Sequence, residues 1–171
     1  MDTLKEEKSG TARSELKDFL PLKRIDHVEF YVGNAKQSAL FYQYAFGFKL
    51  KAYAGLETGS KEKVSYVLEQ GKIRFVLTGA LTNDSPIAEH HKLHGDGVKD
   101  IAIEVDDATS AYNETTKRGA TGVLEPTKIE DENGYVVKSA IKVYGDTIHS
   151  FIERNNYTGV FLPGYVNAEH R

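Results

Sequence analysis

The sequence contains RIDHVEFYVGNA at Arg24–Ala35 and a related stretch, GVKDIAIEVDDA, at Gly97–Ala108. The two stretches begin 73 residues apart. Each alternates apolar and polar residues, passes through a short turn and leads into a segment with helical spacing, which is the pattern of a β-strand followed by an α-helix. Because similarity at a fixed spacing indicates a repeated structural unit, we predict that the chain is built from two copies of one module.

The remainder of each copy supports this interpretation. The predicted helices, Ala35–Phe46 and Asp107–Arg118, both end at a glycine that can adopt the left-handed conformation. Three strands follow each helix, with a glycine turn before the last. They are predicted at Lys49–Ala54, Val64–Gln70, Ile73–Thr78, Val123–Pro126, Val136–Tyr144 and Thr147–Arg154. The order predicts an α+β fold of two βαβββ modules that form a curved sheet with outer helices and a cup inside.

Alternation along the first strand of each module predicts which side chains face the cup. The apolar sets, expected against the helices, are Val28, Phe30 and Val32 in the first module and Ile101, Ile103 and Val105 in the second. The mixed sets, expected in the cup, are His27, Glu29 and Tyr31, and Asp100, Ala102 and Glu104. A ligand or a metal ion would be held on the second face.

These patterns divide the chain into five segments. They are a flexible leader at 1–20 that includes a short helix at Ser14–Phe19, a first module at 21–83, a connector at 84–96, a second module at 97–158, and a tail at 159–171. The tail is expected to begin the linker to a further part of the protein.

The composition of the 171 residues excludes several kinds of site. The net charge of -3 comes from 25 acidic and 22 basic residues, which are mixed along the chain and form no basic patch for nucleic acid or anionic lipid. There is no cysteine, which excludes disulfides, thiolate zinc sites and a cysteine nucleophile. The sequence has no signal peptide and no apolar run long enough to span a membrane, so a cytoplasmic protein is expected.

Three longer stretches carry a resemblance to a known family. They are DHVEFYVGNAKQSALFYQYAFGF at Asp26–Phe48, HGDGVKDIAIEVDDA at His94–Ala108, and GDTIHSFIER followed by NNYTGVFLPGY at Gly145–Tyr165. From about Phe19 to Tyr165 the chain resembles the 4-hydroxyphenylpyruvate dioxygenases of the vicinal oxygen chelate superfamily. The match covers the amino-terminal half of that family's chain.

The resemblance implies a reaction located elsewhere in the protein. Family members convert 4-hydroxyphenylpyruvate and oxygen to homogentisate and carbon dioxide, in tyrosine catabolism. Their Fe(II) lies in the carboxy-terminal half, where two histidines and a glutamate bind it and leave open positions. This chain is therefore expected to be a structural half that is inactive alone, with no catalytic or cofactor-binding residues. Its expected partners are the catalytic half and further copies in a homo-oligomer.

Any metal site in this half would have to use the equivalent strand positions. The family's ligands come from the first strand of each module and the last strand of the second module. Carried onto this sequence, the first-strand positions are His27 and Asp100. The last strand offers His149, Phe151 or Glu153 on one face. The set His27, Asp100 and Glu153 would suit Fe(II) poorly because it has one imidazole, so no metal is expected here.

Three alternatives to this function remain. The chain could be half of a hydroxymandelate synthase, which shares the fold, the iron and the substrate. It could be a stand-alone, metal-dependent enzyme of two modules that uses His27 and Glu153. It could also be a non-catalytic binding module, which would show affinity for a partner and no stoichiometric metal.

Two other clusters have more ordinary explanations. His90, His91 and His94 could share a helical face as zinc ligands do, but HExxH spacing is absent and the connector position favours a solvated helix. In the first helix, the spacing of 41, 44, 45 and 48 predicts that these residues pack on the sheet. Tyr42 is then expected to be exposed and available for a subunit contact.

Overall fold

A computed structural model of the chain describes residues 18–168, and the predicted helix at Ser14–Phe19 lies largely outside them. The first copy of the repeat comprises β1 (Leu22–Tyr31), α1 (Ala35–Phe46), β2 (Lys49–Ala54), β3 (Lys63–Gln70) and β4 (Ile73–Ala80). The connector forms α2 (Pro86–His94). The second copy comprises β5 (Gly97–Val105), α3 (Ala108–Lys117), β6 (Gly122–Asp131), β7 (Gly134–Lys142) and β8 (Ile148–Tyr157). A final short strand is β9 (Val166–Asn167). The predicted βαβββ order is confirmed in both copies.

The nine strands found within residues 18–168 all belong to one sheet, in the order β6-β7-β8-β5-β1-β4-β3-β2-β9. The first strands of the two copies, β1 and β5, pair antiparallel at its centre. Each of them also pairs in parallel with the last strand of its own copy, β1 with β4 and β5 with β8. The crossover helices cover one face of this curled sheet, so the opposite face forms the inside of the cup.

The helices begin at side-chain caps at equivalent positions of the repeat. Asn34 accepts a hydrogen bond from Gln37 N at 3.0 Å, and Asp107 accepts one from Ser110 N at 2.8 Å. Each cap satisfies a backbone N–H that has no partner inside the helix. The two turns after β1 and β5 are therefore equivalent in structure as well as in sequence.

The predicted packing face of α1 is wrong by about a third of a turn, whereas Phe48, which follows the helix, is buried as predicted. Ala35 and Ala39 are buried against the sheet, and Tyr42 packs with Phe48 and Phe75, at ring-centroid distances of 5.9 and 5.3 Å. Phe41 and Tyr44, which were predicted to be buried, are 58% and 87% exposed. The two alanines allow the helix to approach the sheet closely, so small residues rather than the densest run of aromatics define the buried face.

The hairpin between β6 and β7 is longer than predicted. The predicted strand ends at Pro126, but β6 continues to Asp131, so the acidic stretch Glu130–Gly134 supplies the end of β6 and the first residue of β7. Gly134 has a φ of 116°, and a Cβ there would lie 2.1 Å from the carbonyl oxygen of Asn156. Glycine is required at this position because the neighbouring strand approaches the backbone directly.

Candidate functional site

A segment of the chain itself occupies the cup. After β8, residues 158–165, here called the strap, turn back across the inner face of the sheet. Phe161, which is 1% exposed, packs with Ala52, Val67 and Val76. Leu162 packs against a second buried cluster, formed by Ala102, Val136 and Ile152. The strap therefore provides the apolar contacts that a bound ligand would provide in an open cup.

Both ends of the strap are held by polar contacts. Asp131, at the end of β6, accepts hydrogen bonds from the Tyr157 hydroxyl at 2.9 Å and from Gly164 N at 3.3 Å. Beyond the strap, β9 pairs with β2, and Ala168 N donates to the carbonyl of Lys51 at 3.1 Å. Because these anchors lie near opposite edges of the sheet, the strap spans the mouth of the cup.

A buried ion network fixes the middle of the strap. Arg154, on β8, donates from Nε and Nη2 to the carboxylate of Asp26 at 2.9 and 2.8 Å, and from Nη1 to the carbonyl of Phe161 at 2.6 Å. Asp26 also contacts His27 Nδ1 at 2.7 Å and Arg74 at 3.6 Å. The edge of the His27 ring lies against Phe161, with centroids 5.0 Å apart. His27 is thus part of the packing beneath the strap.

The pKa of Asp26 reflects a competition between burial and these partners. Burial alone would raise it, but the hydrogen bond and charge of His27, together with the charges of Arg154 and Arg74, lower the pKa of Asp26 from 3.8 to about 2. A folded-state pKa below the unfolded value means that the ionised carboxylate stabilises the fold. This contribution is present above about pH 4 and is lost as the pH falls towards about 2.

We therefore expect the free energy of unfolding of Asp26→Asn to depend less on pH in the acid range than that of the wild type. Between pH 5 and pH 2 the free energy of unfolding of the wild type should fall by about 2 kcal/mol more than that of the variant. Urea titrations at a series of pH values measure this difference. If the two proteins lost the same free energy of unfolding over this pH range, Asp26 would not be an ionised group held by the network.

A second polar chain lies deeper in the cup. The Thr78 hydroxyl donates to the buried carboxylate of Glu29 at 2.6 Å, and Ser65 lies 2.8 Å from Thr78. Since Thr78 has only one proton to donate, Ser65 donates to Thr78, and the side chain of Tyr165 on the strap interacts with Ser65. Burial opposes ionisation of Glu29, but Lys63, Lys138 and Thr78 outweigh it and lower its pKa. Glu29 is therefore ionised, and its carboxylate accepts the hydrogen bond from Thr78.

The residues His27, Asp100 and Glu153 are not brought together. Asp100 is in the cup, where it accepts from Ser150 N at 2.9 Å and from the Ser150 hydroxyl, and lies 3.6 Å from Lys138 Nζ. Glu153 lies on the helix side of the sheet and accepts from Ala108 N, at the start of α3, at 3.1 Å. The face of β8 on which the sequence predicted a metal ligand therefore points away from the cup.

The register of β8 explains this outcome. His149, Phe151 and Glu153 do share one face, but Phe151 packs with the α3 cluster and His149 contacts the carbonyl of Ile101. The cup face of β8 instead carries Ser150, Ile152 and Arg154. Among residues 18–168, no group of three or more histidine, cysteine, aspartate or glutamate side chains is placed to hold a metal ion. The donor set therefore does not fit a ferrous ion.

The connector histidines form two separate contacts. His91 Nε2 lies 2.9 Å from Asp96, and His94 Nε2 lies 2.8 Å from Asp146. His90 stacks obliquely on His94, with ring centroids 4.7 Å apart, but is itself buried. The predicted helix is present, and one of its three histidines is less solvated than expected.

The space left in the cup is small. A cavity of about 140 Å³ remains between the strap and the sheet, and its polar lining includes His27, Glu29, Lys63 and Lys138. Sites for drug-sized ligands usually measure about 300–1,000 Å³. With the strap in place, the cup has room for a few water molecules and not for an aromatic substrate.

Comparisons with known proteins give consistent results. The sequence model of the Glyoxalase/Bleomycin resistance protein/Dioxygenase superfamily matches residues 24–147. The 4-hydroxyphenylpyruvate dioxygenase of Dictyostelium discoideum is 46% identical over 146 residues, which cover 84% of this chain and 40% of that protein. The chain therefore spans about two fifths of the length of the curated relatives it matches.

Two solved structures extend the comparison. A mutant of 4-hydroxymandelate synthase from Streptomyces coelicolor has a TM-score of 0.77 at 27% identity, covering 87% of this chain and 43% of that one. Methylmalonyl-CoA epimerase from Mycobacterium tuberculosis shares the fold, with a TM-score of 0.64 at 19% identity, covering 82% of this chain and 93% of that one.

In residues 18–168, no helix is long and apolar enough to cross a membrane.

Proposed function

The chain belongs to the Glyoxalase/Bleomycin resistance protein/Dioxygenase superfamily, and on that premise we propose that it is the amino-terminal structural half of a 4-hydroxyphenylpyruvate dioxygenase. The reaction of the whole protein is then the conversion of 4-hydroxyphenylpyruvate and oxygen to homogentisate and carbon dioxide. The proposal is supported by 46% identity over most of this chain to a dioxygenase of that name, of which the match covers only 40%.

The observation that carries the structural role is the strap across the cup. An aromatic 2-oxo acid needs an open, largely apolar pocket with a few polar groups, and the strap fills that volume with Phe161, Leu162 and Tyr165. The polar residues beneath it are committed to one another, as in the contact between Arg154 and Asp26. This favours an assignment of the chemistry to another part of the protein.

The proposal also assigns roles to the carboxy-terminal half of the whole protein. A carboxy-terminal half would hold the Fe(II) and bind the substrate, and this chain would pack against it and join copies into a homo-oligomer in the cytoplasm. The contribution of the present residues is then a rigid body: a continuous sheet whose inner face is closed by its own chain. No residue of this half is assigned a catalytic role.

The proposal predicts that the chain alone neither binds iron stoichiometrically nor turns over 4-hydroxyphenylpyruvate above a metal-free blank. In a chimera, this chain would replace the matching segment of the Dictyostelium discoideum enzyme. We expect the chimera to be active, because the metal site would come from the retained part of that enzyme. Iron analysis and product chromatography are the measurements, with the unmodified relative as the control. Stoichiometric iron and iron-dependent turnover by the chain alone would refute a structural role.

The likeness to 4-hydroxymandelate synthase favours one alternative, in which this chain is half of such an enzyme. The lower identity, 27% against 46%, makes it the second choice. The two enzymes differ in where oxygen is placed, so identifying the product of the full-length protein that contains this chain distinguishes them. Hydroxymandelate in place of homogentisate would select the alternative.

A further inference from the structure

A second pocket lies outside the cup, on the helix side of the sheet. It is bounded by α1, by the outer strands β2 and β3, and by a short 3₁₀ turn at Leu56–Thr58 that follows β2. Its volume of about 340 Å³ falls within the range of small-molecule sites and is more than twice that of the cavity left beneath the strap. The pocket is therefore large enough for one ligand of amino-acid size.

The lining of this pocket combines aromatic rings with one charge of each sign. We name it the tyrosine pocket after Tyr44, Tyr53 and Tyr66, which line it. Among the described residues, its charged groups are Lys36 on α1 and Glu57 in the 3₁₀ turn. Tyrosine rings attract cations over their faces, so the tyrosines and Glu57 favour an ammonium group, whereas Lys36 favours an anion. The pocket therefore offers partners for both charges to one molecule.

Glu57 is held in place by a buried tyrosine. Tyr53 is 6% exposed, and its ring packs edge-on against Tyr66 with centroids 5.2 Å apart. Its hydroxyl donates to Glu57 Oε2 at 2.7 Å. A Cβ at Gly55 would lie 2.0 Å from that hydroxyl oxygen, so glycine at this position lets the hydroxyl reach the carboxylate. The carboxylate is thus oriented before any ligand binds, which lowers the cost of binding.

The second copy of the repeat shows that the fold does not require this pocket. Ala39 lines the pocket, and the residue 73 positions later is Tyr112 on α3. The Tyr112 hydroxyl lies beside Gly122, at the start of β6, where a Cβ would be 2.0 Å from it. A large side chain therefore occupies the space between helix and strand in the second copy, whereas alanine leaves it open in the first.

We propose that the tyrosine pocket binds the zwitterion of an α-amino acid with a large apolar side chain. The ammonium group lies against Glu57 and the tyrosine rings, and Lys36 binds the carboxylate. The apolar side chain packs on Leu40 and Leu50, which also line the pocket. A ligand with a single kind of charge would meet a like charge in the lining, and a ligand without an apolar body would leave the leucines in water.

NMR titration of the isotope-labelled chain tests this site. L-phenylalanine is expected to shift the amide signals of Gly55 and Glu57 and of the first turn of α1, with a dissociation constant of about 1 mM or lower. Phenylpropionate lacks the ammonium group and glycine lacks the side chain, so each should bind at least about tenfold more weakly. Phenethylamine lacks the carboxylate and should bind at least about threefold more weakly, since an exposed ion pair contributes less.

Substitutions of the two charged residues should change these preferences separately. Glu57→Gln keeps an acceptor for the Tyr53 hydroxyl, and it should weaken phenylalanine binding at least about tenfold while phenylpropionate binds no more weakly than before. Lys36→Met should weaken phenylalanine binding at least about threefold and leave phenethylamine binding no weaker. The matched control is Glu89→Gln, the same change at a side chain of α2 that is 58% exposed, which should leave phenylalanine binding unchanged.

Thermal unfolding verifies that the variants stay folded, as expected for exposed positions. The absence of saturable shifts up to about 10 mM phenylalanine, or shifts confined to another surface, would overturn the proposal. So would a Glu57→Gln chain that binds phenylalanine like the wild type, or a wild type that binds phenethylamine as tightly as phenylalanine. None of these results decides whether the chain is a structural half, which the turnover experiment tests separately.

Discussion

Replacing Arg154 by methionine is expected to lower the free energy of unfolding by about 3–5 kcal/mol, among the largest effects of any single substitution. The side chain of Asp26 is fully buried, and Arg154 supplies two of its charge-assisted hydrogen bonds. Methionine retains the apolar stem but leaves the carboxylate with only His27 and the more distant Arg74. Removing one partner of a buried ion pair costs more than the pair itself contributes, because the remaining charge stays desolvated.

Urea denaturation at neutral pH measures this change. Lys92→Met is the matched control, because Lys92 is 74% exposed in a pair with Glu89 at 3.8 Å, and it should change stability by less than about 1 kcal/mol. The double variant Arg154→Met, Asp26→Asn should lose less than the sum of the single variants, since neither buried charge remains. A loss below about 1 kcal/mol for Arg154→Met would mean that the network is not maintained in solution.

Phe161→Ala is expected to destabilise the protein by about 3–5 kcal/mol, the range observed for truncation of a fully buried aromatic side chain. Phe161 is 1% exposed and packs against His27, Tyr165 and the guanidinium of Arg74, at ring distances of 5.0, 4.9 and 5.5 Å. The substitution would open a cavity between the strap and the sheet. The surface control is Leu93→Ala, at a residue that is 70% exposed, where the change should stay within about 0.5 kcal/mol.

This variant also tests whether the strap keeps the cup closed. If the strap loosens, the amide hydrogens of β9 and of Gly164 should exchange faster than in the wild type, because their partners lie on Asp131 and β2. Unchanged exchange together with a small loss of stability would show that Phe161 adds little to the closure of the cup.

The local elements could be predicted from the sequence because short-range rules determine them. Strand alternation correctly divided β1 and β5: Phe30 and Ile103 pack on the helix side, whereas His27, Glu29, Asp100 and Ala102 line the cup. The bounds of α1 agree with the structure because a side-chain cap and a left-handed glycine delimit it. The family resemblance followed from motifs in the same stretches.

The candidate site was harder to predict because its contacts join distant positions. The ion pair of Asp26 and Arg154 links residues 128 apart, and no pattern in the sequence indicates that they meet. The face of β8 depends on its register with β5, where Ile103 pairs with Phe151, and that register turns Glu153 away from the cup. The buried side of α1 is set by Ala35 and Ala39, because their small side chains let the helix pack closely on the sheet.

The sequence by itself determined the repeat, the order of its strands and helices, and the faces of the two central strands, because these depend on propensities and periods within a few residues. Only the tertiary structure decided that the stretch ending in FLPGY folds back as a strap and closes the cup. That outcome depends on burying Phe161 against β2, β3 and β4, on burying Leu162 against β5, β7 and β8, and on pairing Arg154 with Asp26. Such contacts form only after the two modules have joined into one sheet.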